Sequence, residues 1–88
     1  MNDAFTVLFT EKSEKDLSKL TNVIQNLVLK KIILLENNPR PSQCKYLVGN
    51  KIARFRLRVG DYRVLFDVIG SRKEILIIRA GQRKEIHC

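Results

Sequence analysis

Arg54-Phe55-Arg56-Leu57-Arg58-Val59 alternates a cation with an apolar side chain three times, the period of a strand whose faces meet different surroundings. Phe55, Leu57 and Val59 point to a core. Arg54, Arg56 and Arg58 stand in a row on the other face, ~7 Å apart along the strand. Gly60-Asp61 follows as a two-residue hairpin signal, and the pattern predicts strands at residues 52–59, 62–68 and 74–80 with a turn over residues 69–73. In the last of these, Ile75-Leu76-Ile77-Ile78 is apolar on both faces, as in the middle of a sheet. If Tyr62, Val64, Phe66 and Val68 face the core, Arg63 joins the arginine row. Tyr62, Phe66 and Phe55 read as core residues rather than base-stacking platforms.

The first half has another rhythm. Residues 4–10 are rich in β-branched and aromatic side chains and predict a strand. Thr10 or Ser13 caps a short helix carrying Leu17 and Leu20, and Ser13-Glu14-Lys15-Asp16 is a loose capping box. A second helix is predicted from about Asn22 to about Asn37. It is apolar on several sides, with Val23, Ile24, Leu27, Val28, Leu29, Ile32, Ile33, Leu34 and Leu35. Either a partner protein covers part of it, or residues 32–35 lie deep in the core. Asn38-Pro39 and Pro41 end it, and a loop containing Cys44 runs to Gly49-Asn50. The order β-α-α-β-β-β predicts an α+β fold, a single domain over residues 1–88, with a two-helix hairpin packed on one face of an antiparallel sheet.

Charge sharpens this picture. The chain of 88 residues has 17 Lys and Arg against nine Asp and Glu, a net +8. Residues 51–88 hold ten of these cations and four acids, net +6, against +2 for residues 1–50. The basic character thus concentrates in the half that carries the arginine row, which predicts affinity for a polyanion or an acidic protein. Lys12, Lys15, Lys19, Lys30 and Lys31 read as solvated helix faces. Cys44 and Cys88 have no metal-ligand spacing, and neither a metal nor a cofactor is expected. No apolar run reaches the length that spans a bilayer, and no secretory signal is visible. A cytoplasmic protein without membrane association is expected.

Asn38-Pro39 after the second helix, Leu47-Val48-Gly49, and above all residues 55–64, Phe-Arg-Leu-Arg-Val-Gly-Asp-Tyr-Arg-Val, resemble the RelE/ParE toxin superfamily. So does the closing segment from Ile78 to His87, and the resemblance covers nearly the whole chain. It implies a RelE-like microbial RNase fold and the toxin of a type II toxin–antitoxin pair. Such a toxin is held by a cognate acidic, RelB-like antitoxin in a hetero-oligomer. It further implies a ribosome-dependent mRNA interferase that cuts mRNA in the ribosomal A site, or alternatively a ParE-like DNA gyrase poison without nuclease chemistry. Residue by residue, the RelE active-site positions fall on Arg54, Arg56, Arg63, Arg83 and His87, with Lys51, Arg58 and Lys84 as RNA-binding positions. Arg54 and Arg56 stand where RelE proteins often have lysine, and His87 where they usually have tyrosine.

Metal-free RNA cleavage needs a base for the 2′-hydroxyl, cations for the charge gathering on phosphorus, and an acid for the 5′-oxygen. Arg56, Arg63 and Arg83 are suited to clamp phosphate oxygens. Arginine is a very weak base, so Arg54 is a poor replacement for a lysine in that role. His87 is the candidate acid, or the base if the roles are reversed; its plain alternative is a solvated tail residue. Arg58 is a candidate cation of the face or a cross-strand partner of Asp67 or Asp61.

Overall fold

A computed structural model describes residues 4–38, 44–46 and 53–82 of the chain. The elements, in order, are β1 (Thr6–Phe9), α1 (Glu11–Ser18), α2 (Asn22–Leu34), β2 (Cys44–Tyr46), β3 (Phe55–Val59), β4 (Tyr62–Ile69), one 3-10 turn (Gly70–Arg72) and β5 (Glu74–Gln82). Among the described residues the sheet has five strands in the order β1-β5-β4-β3-β2. The helices lie on one face, as expected of an α+β fold. The sheet is mixed rather than antiparallel throughout: β1 runs parallel to β5, with Thr6 opposite Glu74 and Phe9 opposite Ile77. The connection from β1 passes through both helices, which is what lets two distant strands run parallel.

Two local expectations are corrected. Thr10 alone caps α1, its hydroxyl oxygen accepting from the Ser13 N–H at 3.1 Å, while the Ser13 hydroxyl donates to the Thr10 carbonyl at 2.8 Å. The Ser13–Asp16 capping box does not form, because the Asp16 carboxylate is engaged on β5. Cys44 lies in β2 rather than in a loop, since residues 44–46 pair with residues 55–57 of β3. Helix α2, capped by Thr21, stops at Leu34, and residues 35–37 continue as a tighter turn with the Leu35 N–H donating to the Ile32 carbonyl at 2.9 Å. The Glu36 carbonyl then accepts from the Phe5 N–H at 2.7 Å, which ties the end of α2 to the start of β1.

Alternation decides what reaches the core. Phe55, Leu57 and Val59 of β3, Val64 and Phe66 of β4, and Ile75, Ile77 and Ala80 of β5 meet Leu17 of α1 with Val28, Ile32 and Leu35 of the α2 segment. The Phe55 and Phe66 rings stack at 5.6 Å. Burying each large aliphatic side chain contributes about 1.5–3 kcal/mol. The apolar run in α2 divides: Ile32 and Leu35 are fully buried, while Ile33 and Leu34 are more than half exposed.

At the turn between β3 and β4, Gly60 has φ +59° and Asp61 has no positive φ, as a type II′ hairpin requires. In β5 the register slips by one, Leu65 facing Arg79 and Phe66 facing Ile77, so that Ile78 is the extra residue of a bulge. Ile78 packs with Ala53 and Leu65 in a small second cluster. No helix among the described residues is long and apolar enough to cross a membrane.

Candidate functional site: an arginine face on the sheet

Because Phe55, Leu57, Val59, Val64 and Phe66 are turned to the helices, the residues between them occupy the opposite face. Arg56 is half-buried, Arg58 is exposed and Arg63 is half-buried. Arg63 of β4 stands directly across from Arg58 of β3, and its neighbour on the other side is Gly81 of β5. Facing residues in an antiparallel pair hold their Cβ atoms ~5 Å apart. Two guanidinium groups therefore share one cross-strand position, at a cost of the order of 1 kcal/mol in water.

The expected pairing of Arg58 with Asp67 or Asp61 is corrected here. The Asp67 carboxylate accepts instead from the backbone N–H of Arg54, at 2.6 Å. It sits four residues along β4 from Arg63, ~13 Å by strand rise, and closes off the start of β3. Arg54, exposed, precedes β3 and marks the same end. Only Asp67 among the described residues brings an acid to this face of the hairpin, and its charge lies at the far end from Arg58 and Arg63.

Lys45 of β2 is the register partner of Arg56. Sequence reasoning missed it, because three residues are too short a run to show an alternation. Arg79 is the opposite case, a cation that sequence reasoning left without a role. Its Nε donates to Asp16 Oδ2 at 2.7 Å, and the same oxygen accepts from the Ala80 N–H at 3.1 Å. This carboxylate satisfies an edge N–H of β5 beyond the point where β1 ends, and it holds Arg79 as a structural ion pair. A cleft of about 460 Å³ opens beside it, lined by Asp16, Lys19, Thr21, Tyr62, Arg79 and Gln82 among others. Two of its charges, Asp16 and Arg79, are bridged to each other. The arginine face spreads its cations along and across two strands, which suits an extended polyanion.

Of the positions named from the sequence, the structure brings Arg56, Arg58 and Arg63 together, with Arg54 at the margin. Lys51, Arg83, Lys84 and His87 lie outside the described residues. The lysines of the helices, Lys12, Lys15, Lys19, Lys30 and Lys31, are exposed.

This fold with this face defines a class. The crystal structure of the RelBE2 toxin–antitoxin complex from Mycobacterium tuberculosis is similar, with a TM-score of 0.81 and 28% identity over 91% of this chain and 92% of that one. The archaeal RelE–RelB complex from Pyrococcus horikoshii gives 0.79 and 26%, covering 94% of this chain and 99% of that one. The intact Escherichia coli RelBE complex gives 0.74 and 26%, covering 90% and 96%. No curated protein matches the chain significantly. The family model for the ParE toxin of type II toxin–antitoxin systems (parDE) matches residues 7–87. The chain belongs to this toxin family, within the RelE/ParE superfamily.

Proposed function

We propose that this toxin is a ribosome-dependent mRNA interferase of the RelE type, a metal-independent endoribonuclease that acts in the cytoplasm on messages held in the ribosomal A site. The observation that carries the reading is the convergence of Arg56, Arg58 and Arg63 on one sheet face, with Arg58 and Arg63 directly opposed. A fold maintains such a pair against its own repulsion when a polyanion occupies the face. The relatives of similar length solved with their antitoxins are named RelE toxins, which supports the same branch.

In the proposed reaction the 2′-hydroxyl gives up its proton to water, its oxygen bonds to the adjacent phosphorus, the P–O5′ bond breaks to leave a 2′,3′-cyclic phosphate, and the 5′-oxygen leaves with a proton. Arg56, Arg63 and Arg83 offset the charge that gathers on the phosphoryl oxygens; losing one such donor costs about 10²–10³ in rate. His87 delivers the proton to the 5′-oxygen. Lys51, Arg58 and Lys84 hold flanking phosphates, and Arg54 lines the entrance. An acidic RelB-like antitoxin neutralises the toxin in a hetero-oligomer, as in the relatives solved as RelB–RelE complexes.

Primer extension on an mRNA incubated with the purified chain, with and without translating ribosomes, tests this. Cuts restricted to ribosome-positioned codons are expected, and His87→Gln is expected to slow them while ribosome binding stays unchanged. An intact message under both conditions sinks the proposal. A second reading, poisoning of DNA gyrase, is favoured by the ParE family match and by arginine standing where RelE proteins often have lysine. It predicts gyrase-linked DNA breaks that persist when Arg63 is replaced by Ala.

A further inference from the structure

Strand β5 carries a glycine where its backbone does not require one. Gly81 lies inside the strand, and among the described residues only Gly60 is a glycine of positive φ. Alanine can take the same extended conformation, and a glycine inside a strand weakens it. Gly81 is nonetheless buried, so other groups lie close over a residue that has no side chain. Its register partner on β4 is Arg63, whose Nε is itself buried.

The bulge brings these two together. On one side of it Phe66 faces Ile77, and on the other Leu65 faces Arg79. Continued without the extra residue, the pairing would set Ala80 against Arg63, and Arg79 against Val64 of the core. Ile78 shifts each position by one, so that Ala80 fills the core place and Gly81 comes to Arg63. Two side chains at α1 hold that shift. The Thr10 hydroxyl donates to the Ile78 carbonyl at 3.1 Å, and the Asp16 carboxylate accepts from the Ala80 N–H at 3.1 Å.

Arg63 therefore has unlike neighbours on its two sides. Val59 and Tyr62 flank the two-residue turn as a hydrogen-bonded pair, so Arg58 and Arg63 form the closer, non-hydrogen-bonded kind, with Cα atoms ~4.5 Å apart. The Ala80 N–H points away from β4 to Asp16, so that of Gly81 points toward β4. Gly81 and Arg63 are thus the wider, hydrogen-bonded pair, ~5.5 Å apart. One neighbour repels the guanidinium at close range, and the other has no side chain at the facing position.

We infer that Gly81 is a positioning residue for Arg63: its missing Cβ leaves the seat over β5 in which the Arg63 side chain settles, away from Arg58. A side chain at position 81 would meet that of Arg63 at the distance of a cross-strand pair and turn the guanidinium aside. The catalytic consequence rests on the proposed mRNA cleavage, whereas the seat is a property of the fold.

The test compares the purified full chain with its Gly81→Ala variant by two readouts. The first is the exchange of the Arg63 Nε–H with water, followed by nitrogen-15 NMR. Exchange is expected to be slow in the parent, where Nε is buried, and about tenfold faster in the variant. The urea midpoint is expected to stay or rise, because alanine restricts the unfolded chain more than glycine does. The second readout is ribosome-dependent cleavage. Its kcat is expected to fall about 100-fold, the effect of misplacing a reacting group by ~1 Å, with KM for the programmed ribosome nearly unchanged. An unchanged exchange rate overturns the inference. So does a lowered midpoint or a failure to fold, which would assign Gly81 to packing alone. Faster exchange with an unchanged kcat removes the positioning role. If the parent itself cuts no message on ribosomes, the proposed function fails, while the exchange comparison still decides the seat.

Discussion

Strand β3 passes the same backbone between two surfaces that obey different rules. Toward the helices, Phe55, Leu57 and Val59 are 7%, 2% and 4% exposed and interlock with Phe66, Ile32 and Leu35. Toward the other side, Arg56 and Arg58 alternate with them residue for residue, and Arg58 is set against Arg63. The first surface is optimised for folding, since every large side chain on it has an apolar neighbour. The second works against folding: it places the like charges of Arg58 and Arg63 at facing positions. One strand therefore serves both the core and the candidate site, and side-chain alternation keeps them apart. Substitutions on one face should change what the other leaves alone.

The largest effect is expected in the core. Phe66→Ala removes a fully buried ring that stacks on Phe55 and should destabilise the domain by about 3–5 kcal/mol, read as a fall in the urea midpoint; a shift below 1 kcal/mol would mean the sheet–helix core is not where the stability lies. Arg63→Ala should do the reverse. Ribosome-dependent cleavage is expected to fall by about 10²–10³-fold with the unfolding midpoint nearly unchanged, and retained growth arrest would remove Arg63 from the proposed site.

Asp16→Ala strips the acceptor from Arg79 and from the Ala80 N–H, and about 2 kcal/mol of stability should go with it. Asp16→Asn, which keeps one acceptor oxygen, should restore part of that loss. Gly60→Ala meets no neighbouring atom within 4 Å, so its cost comes from the φ of +59° alone, about 1 kcal/mol. Finally, Arg58→Ala should leave stability unchanged or raise it by up to about 1 kcal/mol, by relieving the facing Arg63. It should also weaken RNA binding with a shallower salt dependence. A clear loss of stability would show that Arg58 has a structural partner after all.

How much of this could be read from the residues follows from the range of each interaction. Alternation is local, so Arg54 to Val59 disclosed both the strand and its two faces, and Gly60-Asp61 disclosed the turn. The same local logic put Arg63 on the arginine face once Val64 and Phe66 were assigned to the core. Interactions between distant residues were not legible. Asp16 looked like part of a capping box because its partners, Arg79 and Ala80, lie 63 and 64 positions away. The parallel pairing of β1 with β5 left no signature in either strand alone. Strand β2 was too short to show a period, and the bulge at Ile78 was hidden by a run of four consecutive aliphatic residues. In α2 the apolar pattern was visible but not its division, because periodicity alone cannot tell the buried line from the outward one.

The parallel pairing has a consequence for the order in which the chain acquires its shape. Thr6 to Phe9 precede both helices and the rest of the sheet, yet their ladder partners are Glu74 to Ile77. The helices between them rest on Ile75 and Ile77 as well. During translation β1 has no ladder partner until residues 74–77 have been made. Contacts so far apart in sequence also slow the final collapse. The hairpin that carries Arg56, Arg58 and Arg63 pairs with β5 along its β4 edge, so its place in the sheet is fixed only once that later strand has paired.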